Sequence, residues 1–331
     1  MILKRYPELD FAKGIGIVLM VLGHCYSGEN GTVVIQWLYS FHMPLFFLVC
    51  GILVRHRGDL PPFGEYLKKR GKNLLIPYYF WGITAVVFLG IIGRQPMAWL
   101  IGGIQRIVLW EGISAMWFLP CLILSELLFR ICVKIFGKNK WLGHGTVLII
   151  ALIGLALPSP YSLGIVLLRG LVGTSFLYLG WQLAPFALRP RKFWIWLGVC
   201  AVHLILIYLN GTVSIAGRVF GNYLLYYLHS LLGTWLTIQL YYHLSQIRLS
   251  KIAKPFVWYG KHSLIVVCTS YVAIEMVRLL DYKLLGNILP SLGEGEGWVL
   301  CALVMVLEAA AIWFCNRFLW FTVGKPKPLS D

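Results

Sequence analysis

The sequence predicts an all-α fold: a polytopic membrane helix bundle of about ten transmembrane helices, both termini cytoplasmic, forming one integral membrane domain over residues 1–331. Three observations carry that expectation. Hydrophobic residues make up 59% of the chain and charged residues only 13%, about half the charged share of an ordinary soluble domain. Apolar runs recur along its whole length. The basic residues gather in alternate connections between those runs.

A membrane-crossing helix needs about 20 mostly apolar residues. The first run, 11–27, opens at Asp10 and Lys13 and holds His24 near its far end. The second, 36–54, is apolar except for Gln36, Ser40 and His42. A basic segment then precedes the third, 74–92. The stretch 97–110 is apolar but carries Gln105 and Arg106, so it is expected to lie at the interface or re-enter rather than span. The fourth run, 116–136, has Glu126 at its middle. The fifth, 142–157, is shortened by Gly143, Gly145 and the turn at Pro158 and Pro160. The sixth (162–187), seventh (193–209), eighth (222–244), ninth (263–280) and tenth (298–321) complete the set. Helix follows helix after the first run, so no cleavable leader is expected.

With the N-terminus inside, six basic residues fall on the outer side: Arg94, Arg106, Arg169, Arg218, Arg278 and Lys283. The remaining twenty-three of the 29 fall inside. This asymmetry is the positive-inside signature. It accounts for the net charge of +16 without nucleic acid, which is not an expected partner; membrane lipids are. The eight cysteines sit inside apolar runs with no metal-binding spacing, and are expected to be small buried hydrophobes with no bound metal.

Lys13 and His24 are eleven residues apart. On an α-helix that is three turns plus about 20°, so both share one face about 16 Å apart along the axis. Ionisable groups inside a membrane are expensive and usually face a bundle interior or a wet cavity. One face marked at both depths suits the wall of a passage. An isolated core histidine and an interfacial lysine remain the plainer alternative.

The residues also resemble a known family. "LDFAKGIGIVLMVLGH" (9–24) is similar to the first-helix signature of the acyltransferase family 3 membrane proteins, in which a basic residue precedes a histidine by eleven. "FHMPLFFLVCGIL" (41–53) resembles the second-helix motif, with Cys50-Gly51 where the family usually has Ser-Gly. "YLKKRGKNLLIPYYFW" (66–81) resembles the basic motif opening the third helix. "MWFLPCLILSELLF" (116–129) and "YGKHSLIVVCTSY" (259–271) resemble the fourth-helix and late-helix motifs of the fucose-4-O-acetylase-like branch. The resemblance covers nearly the whole chain. It implies transfer of an acetyl group from cytosolic acetyl-CoA to a hydroxyl of an extracytoplasmic glycan or lipid-linked sugar, by an enzyme of the bacterial cytoplasmic membrane. Three positions depart from the pattern. Lys13 stands where the family has Arg. Lys72 or Asn73 fills the slot of the second arginine after Arg70. Ser270 or Tyr271 stands near a late family histidine. Lysine keeps the charge but loses the bidentate fork of arginine.

Acetyl transfer to an alcohol needs a base for the hydroxyl proton and support for the oxyanion. His24 is the expected base. His42 and Glu126, both at family-like positions, are the further catalytic candidates, Glu126 either orienting a histidine or pairing with a base. Asp10 is expected to pair with Lys13 at i, i+3, ordering the cytoplasmic mouth or forming a plain interfacial ion pair. The segment 55–73 holds six basic residues, the densest positive patch in the chain. Lys69, Arg70, Lys72 and Asn73, with Lys13 and its partner Asp10, form the expected acetyl-CoA site, the cations making charge-assisted bonds to phosphate; the same charges also serve topology. Glu275, Glu308, His203 and His229 are expected to be structural. The outer aromatics Trp37, Tyr39, Trp99, Trp110 and Trp117 suit an interfacial belt, or stacking on sugar. A transporter for a small polar metabolite and a scaffold for export machinery are the competing function classes.

Overall fold

The computed structural model describes residues 5–26, 33–58, 60–158, 162–247 and 250–324. Among them the chain is helical, with no strand beyond a single bridge between Ser214 and Val219. The helices are α1 (Pro7–Cys25), α2 (Val33–Arg57), α3 (Phe63–Arg70), α4 (Ile76–Ile92), α5 (Met97–Val108), α6 (Phe118–Lys138), α7 (Lys140–Ala156), α8 (Ser162–Ala187), α9 (Phe193–Asn210), α10 (Tyr223–Gln246), α11 (Ser250–Lys261), α12 (Ser263–Leu280) and α13 (Glu296–Phe318). All ten expected stretches are helical. Seven of the described helical segments are long and apolar enough to cross a membrane; α3 and α4 count as one, joined by a π-helical turn over Gly71–Leu75. Three expected spans fall short of that measure. α7 has 17 residues. α1 carries Glu8, Asp10 and Lys13 in its first two turns. α10 is diluted by tyrosines, histidines and Gln239.

Local sequence sets the ends of α1. Pro7 occupies the first turn, where its missing N–H costs nothing, and Glu8 and Asp10 face the positive end of the helix dipole. Two pairs of isolated glycines then fix how the helices meet. A Cβ on Gly14 would lie 1.8 Å from the Phe256 carbonyl oxygen, and one on Gly260 would lie 1.7 Å from that of Asp10. So α1 and α11 touch backbone to backbone. Gly51 and Gly180 do the same for α2 and α8, at 2.0 Å from Leu177 O and 2.1 Å from Leu48 O. Small residues at such contacts substitute close van der Waals packing for the hydrophobic drive that lipid removes.

Pro44 sits inside α2 and leaves the Ser40 carbonyl without its helical donor. His229 Nδ1 (3.0 Å) and Ser230 Oγ (2.8 Å) of α10 donate to it instead. This satisfies a polar group that the membrane would otherwise strand, and it gives His229 the structural role expected of it. Gly297 packs on Tyr26, at the His24 end of the bundle. Gly324 packs on Lys72 and Asn73, at the Lys13 end. All eight cysteines are free, six of them buried.

Candidate functional site

The polar groups collect at two ends of the bundle. At the Lys13 end, Lys13 Nζ lies 2.7 Å from Asp10 Oδ1, and Arg5 reaches the same carboxylate at 3.6 Å. Close by, α2, α3 and α6 enclose a cavity of about 120 Å³ whose wall includes Arg57, Lys69, Arg70, Glu126 and Arg130. Arg70 forms an ion pair with Glu126, whose other oxygen accepts a 2.9 Å hydrogen bond from Tyr66. The Arg130 guanidinium lies 4.7 Å over the Tyr66 ring and donates to the Pro61 carbonyl. Four cations and one carboxylate thus line this cavity, and Arg70 is the one paired with the carboxylate. The Tyr6 ring, just before α1, lies 4.8 Å from that of His56, the neighbour of Arg57, so the α1 mouth and this cavity adjoin. The π turn at Gly71–Leu75 follows Arg70 directly; such turns recur at functional sites.

The structure separates the expected residues as follows. Lys69 is exposed on the rim of this cavity. Lys72 is exposed outside the cavity wall. Asn73 is turned toward Gly324, whose Cβ would lie 2.6 Å from Asn73 Oδ1. Glu126 meets Arg70 and Tyr66 and neither histidine. It lies on the opposite half of the bundle from them, because α6 descends from Phe118 toward the basic end while α3 reaches up beside it.

At the other end, His24 opens onto two cavities. One, about 270 Å³, lies between α1, α2 and the strap 212–219, and His24 shares it with His42, Tyr39 and Trp117. The second, about 500 Å³, lies between α1, α4, α5 and α12, and is lined by Trp99, Arg106, Ser114 and Tyr271. Among the described residues no group hydrogen-bonds the His24 ring. His42 is held differently. Its Nδ1 donates to Leu38 O at 2.6 Å, and its ring stands edge-on to Tyr39 at 5.1 Å. The proton is therefore fixed on Nδ1, and Nε2 is left as the acceptor.

Sequence reasoning missed the strap. Gly211 and Gly221 carry it through positive φ (69° and 60°). Asn210 ties its ends together, donating to Phe220 O at 3.1 Å and accepting from Asn222 N–H at 2.7 Å. Arg169 of α8 donates to Ala216 O and lies 5.0 Å over the Trp117 ring. The only available signal was the "NGT…GN" punctuation at 210–222, which reads simply as a turn. Among the residues expected to be structural, Glu275 pairs with Arg278 (3.5 Å), Glu308 accepts from Thr269 (2.7 Å), and His203 packs edge-on to Phe41 (5.7 Å).

The description of an acyltransferase domain matches residues 6–319. Two relatives are similar over part of the chain, both nodulation protein NolL. That of Mesorhizobium japonicum is 28% identical over 156 residues, covering 45% of this chain and 41% of the relative. That of Sinorhizobium fredii is 29% identical over 162 residues, covering 46% and 44%. The match thus spans less than half the length of these relatives. No solved structure matches. A family description running from the start of α1 to the end of α13 encloses both histidines and the whole basic region, and the chain belongs to the acyltransferase 3 family of membrane proteins.

Proposed function

We propose that the protein is a membrane O-acetyltransferase. It takes acetyl from cytosolic acetyl-CoA at the basic end and delivers it to a hydroxyl of an extracytoplasmic glycan or lipid-linked sugar at the His24 end. The carrying observation is the polarity of the bundle. One end has four cations around a small cavity; at the other, about three helical turns along α1 from Lys13, a histidine with no hydrogen-bond partner among the described residues stands between two larger cavities. About ten spans and cytoplasmic termini, in a bacterial cytoplasmic membrane, put the basic end on the side where acetyl-CoA is made.

In this reading Arg57, Lys69 and Arg70 hold phosphate groups of coenzyme A, with Lys13, ordered by Asp10, at the entrance. His24 removes the acceptor's hydroxyl proton as the oxygen attacks the thioester carbonyl. The new ester C–O bond forms, the C–S bond breaks, and the proton passes to the departing thiolate. His42 Nε2, in the same cavity, accepts a hydrogen bond from the acceptor and aligns it. Glu126 acts at the donor end, fixing Arg70.

The test is acetyl flow across a sealed membrane. Proteoliposomes given radiolabelled acetyl-CoA on the basic-end side should form acetylated saccharide on the other side and release free coenzyme A in equal amount. A transporter would move its solute with no loss of thioester.

A further inference from the structure

The wider cavity at His24 has a lining that specifies its ligand. Ligand pockets run roughly 300–1,000 Å³. The 500 Å³ cavity between α1, α4, α5 and α12 falls within that range, and the 270 Å³ cavity beside the strap falls just below it. Trp99 presents an indole that suits the apolar C–H face of a sugar ring. Arg106 lines the same cavity, seven residues and about two turns further along α5. Glu111 engages its Nε at 3.4 Å, and among the described residues its two terminal nitrogens have no partner. The neighbouring arginine, Arg278, is already committed to Glu275 (3.5 Å) and to the Cys25 carbonyl (3.3 Å). Arg106 is thus a partly exposed guanidinium engaged at Nε, its terminal nitrogens without a partner among the described residues, on the lining of the cavity that His24 shares. A guanidinium fork matches the paired oxygens of a carboxylate or a phosphate.

The segment 110–114, which brings Ile113 and Ser114 to the cavity, is firmly held. Trp110, Gly112 and Ser114 all take positive φ (65°, 72° and 45°). They are held there by Trp110 Nε1 donating to the Tyr79 hydroxyl at 2.7 Å, and by the lack of a Cβ on Gly112, which would lie 2.4 Å from Trp117 N. Strained backbone persists only where its surroundings over-determine it, and it clusters at ligand sites. Gly102 also lines the cavity, and a Cβ there would meet nothing within 4 Å.

We infer that this cavity is the acceptor site and that its ligand is an anionic sugar, a saccharide carrying a carboxylate or phosphate held by Arg106 while its ring stacks on Trp99. The inference rests on the acetyltransferase reading of His24. Three probes test it in detergent: methyl glucuronoside, glucose phosphate and the neutral methyl glucoside, titrated by tryptophan fluorescence. Acetyl-CoA affinity is measured in parallel. At least one charged probe should bind roughly tenfold or more tighter than the neutral one, the worth of one charge-assisted contact; which one it is separates carboxylate from phosphate. Arg106→Gln should erase that preference. Gly102→Leu, whose Cβ would meet nothing within 4 Å and whose bulk enters the cavity, should weaken all three probes. Equal binding of charged and neutral probes, binding of none, or a preference that survives Arg106→Gln would overturn the anionic-sugar assignment. Absence of acetyl-CoA binding in the wild-type protein would instead overturn the acetyltransferase reading beneath it.

Discussion

Arg70 and Glu126 show why the most obvious substitution is a poor test of donor binding. Glu126 is almost fully buried and its only cationic partner among the described residues is Arg70. Removing one member of a buried pair leaves an uncompensated charge and costs about 3–5 kcal/mol. Arg70→Gln should therefore lower the thermal unfolding midpoint in detergent as well as the affinity for coenzyme A. Lys69 stands on the same cavity but is exposed, and surface changes are usually worth within about 0.5 kcal/mol of stability. Lys69→Gln should weaken coenzyme A binding in calorimetry with an unchanged unfolding midpoint. Unchanged affinity would move the phosphate site elsewhere. At this scale the sequence was informative about His24, because eleven residues on one helix place two groups on one face whatever the tertiary structure. It was uninformative about Glu126, whose partner arrives from α3, more than fifty residues away. The same holds for Arg106 and Trp99, whose convergence on His24 depends on how α5 folds back.

Among the elements, α1 is held by glycine contacts as well as by its buried apolar surface. Gly14 and Gly260 admit the backbones of α11 and α1 to one another, and this contact sets the tilt on which the Lys13 and His24 depths depend. Gly260→Leu should abolish monodisperse, folded protein in fluorescence-detected size exclusion. Gly198→Leu in α9, where a Cβ meets nothing within 4 Å, should be tolerated, since leucine is the better helix former by roughly 1 kcal/mol. Equal behaviour of the two variants would remove the argument. The ten helices were legible because a run of apolar residues has one viable form in lipid. The π turn after Arg70 and the strap at 212–219 were not. Both arise where backbone meets another element, and neither leaves a periodic trace.

For the whole molecule, the proposed function rests on the separation of the basic cavity from the His24 cavities. The basic region would meet a phosphorylated donor on one face, and His24 would meet a hydroxyl on the other. Sidedness can be checked in a cysteine-free background. Gly64→Cys, exposed and free of contacts beside the basic cavity, should label with an impermeant maleimide only after permeabilisation; Gly217→Cys in the strap should label from outside. The positive-inside bias is the sequence signal for this orientation, while the acceptor leaves none, since a cavity's lining is assembled from four separated helices.

The central claim is that His24 carries the chemical step and not donor binding. The direct measurement is single-turnover acetyl transfer by purified His24→Ala, alongside its acetyl-CoA affinity. The variant should bind donor as wild type does, because the basic cavity is untouched, while transfer falls by roughly 10²–10⁴-fold, the usual worth of a general base. His24→Asn, which keeps packing but cannot take the proton, should be nearly as slow. Wild-type transfer by a folded, donor-binding His24→Ala protein would contradict the account.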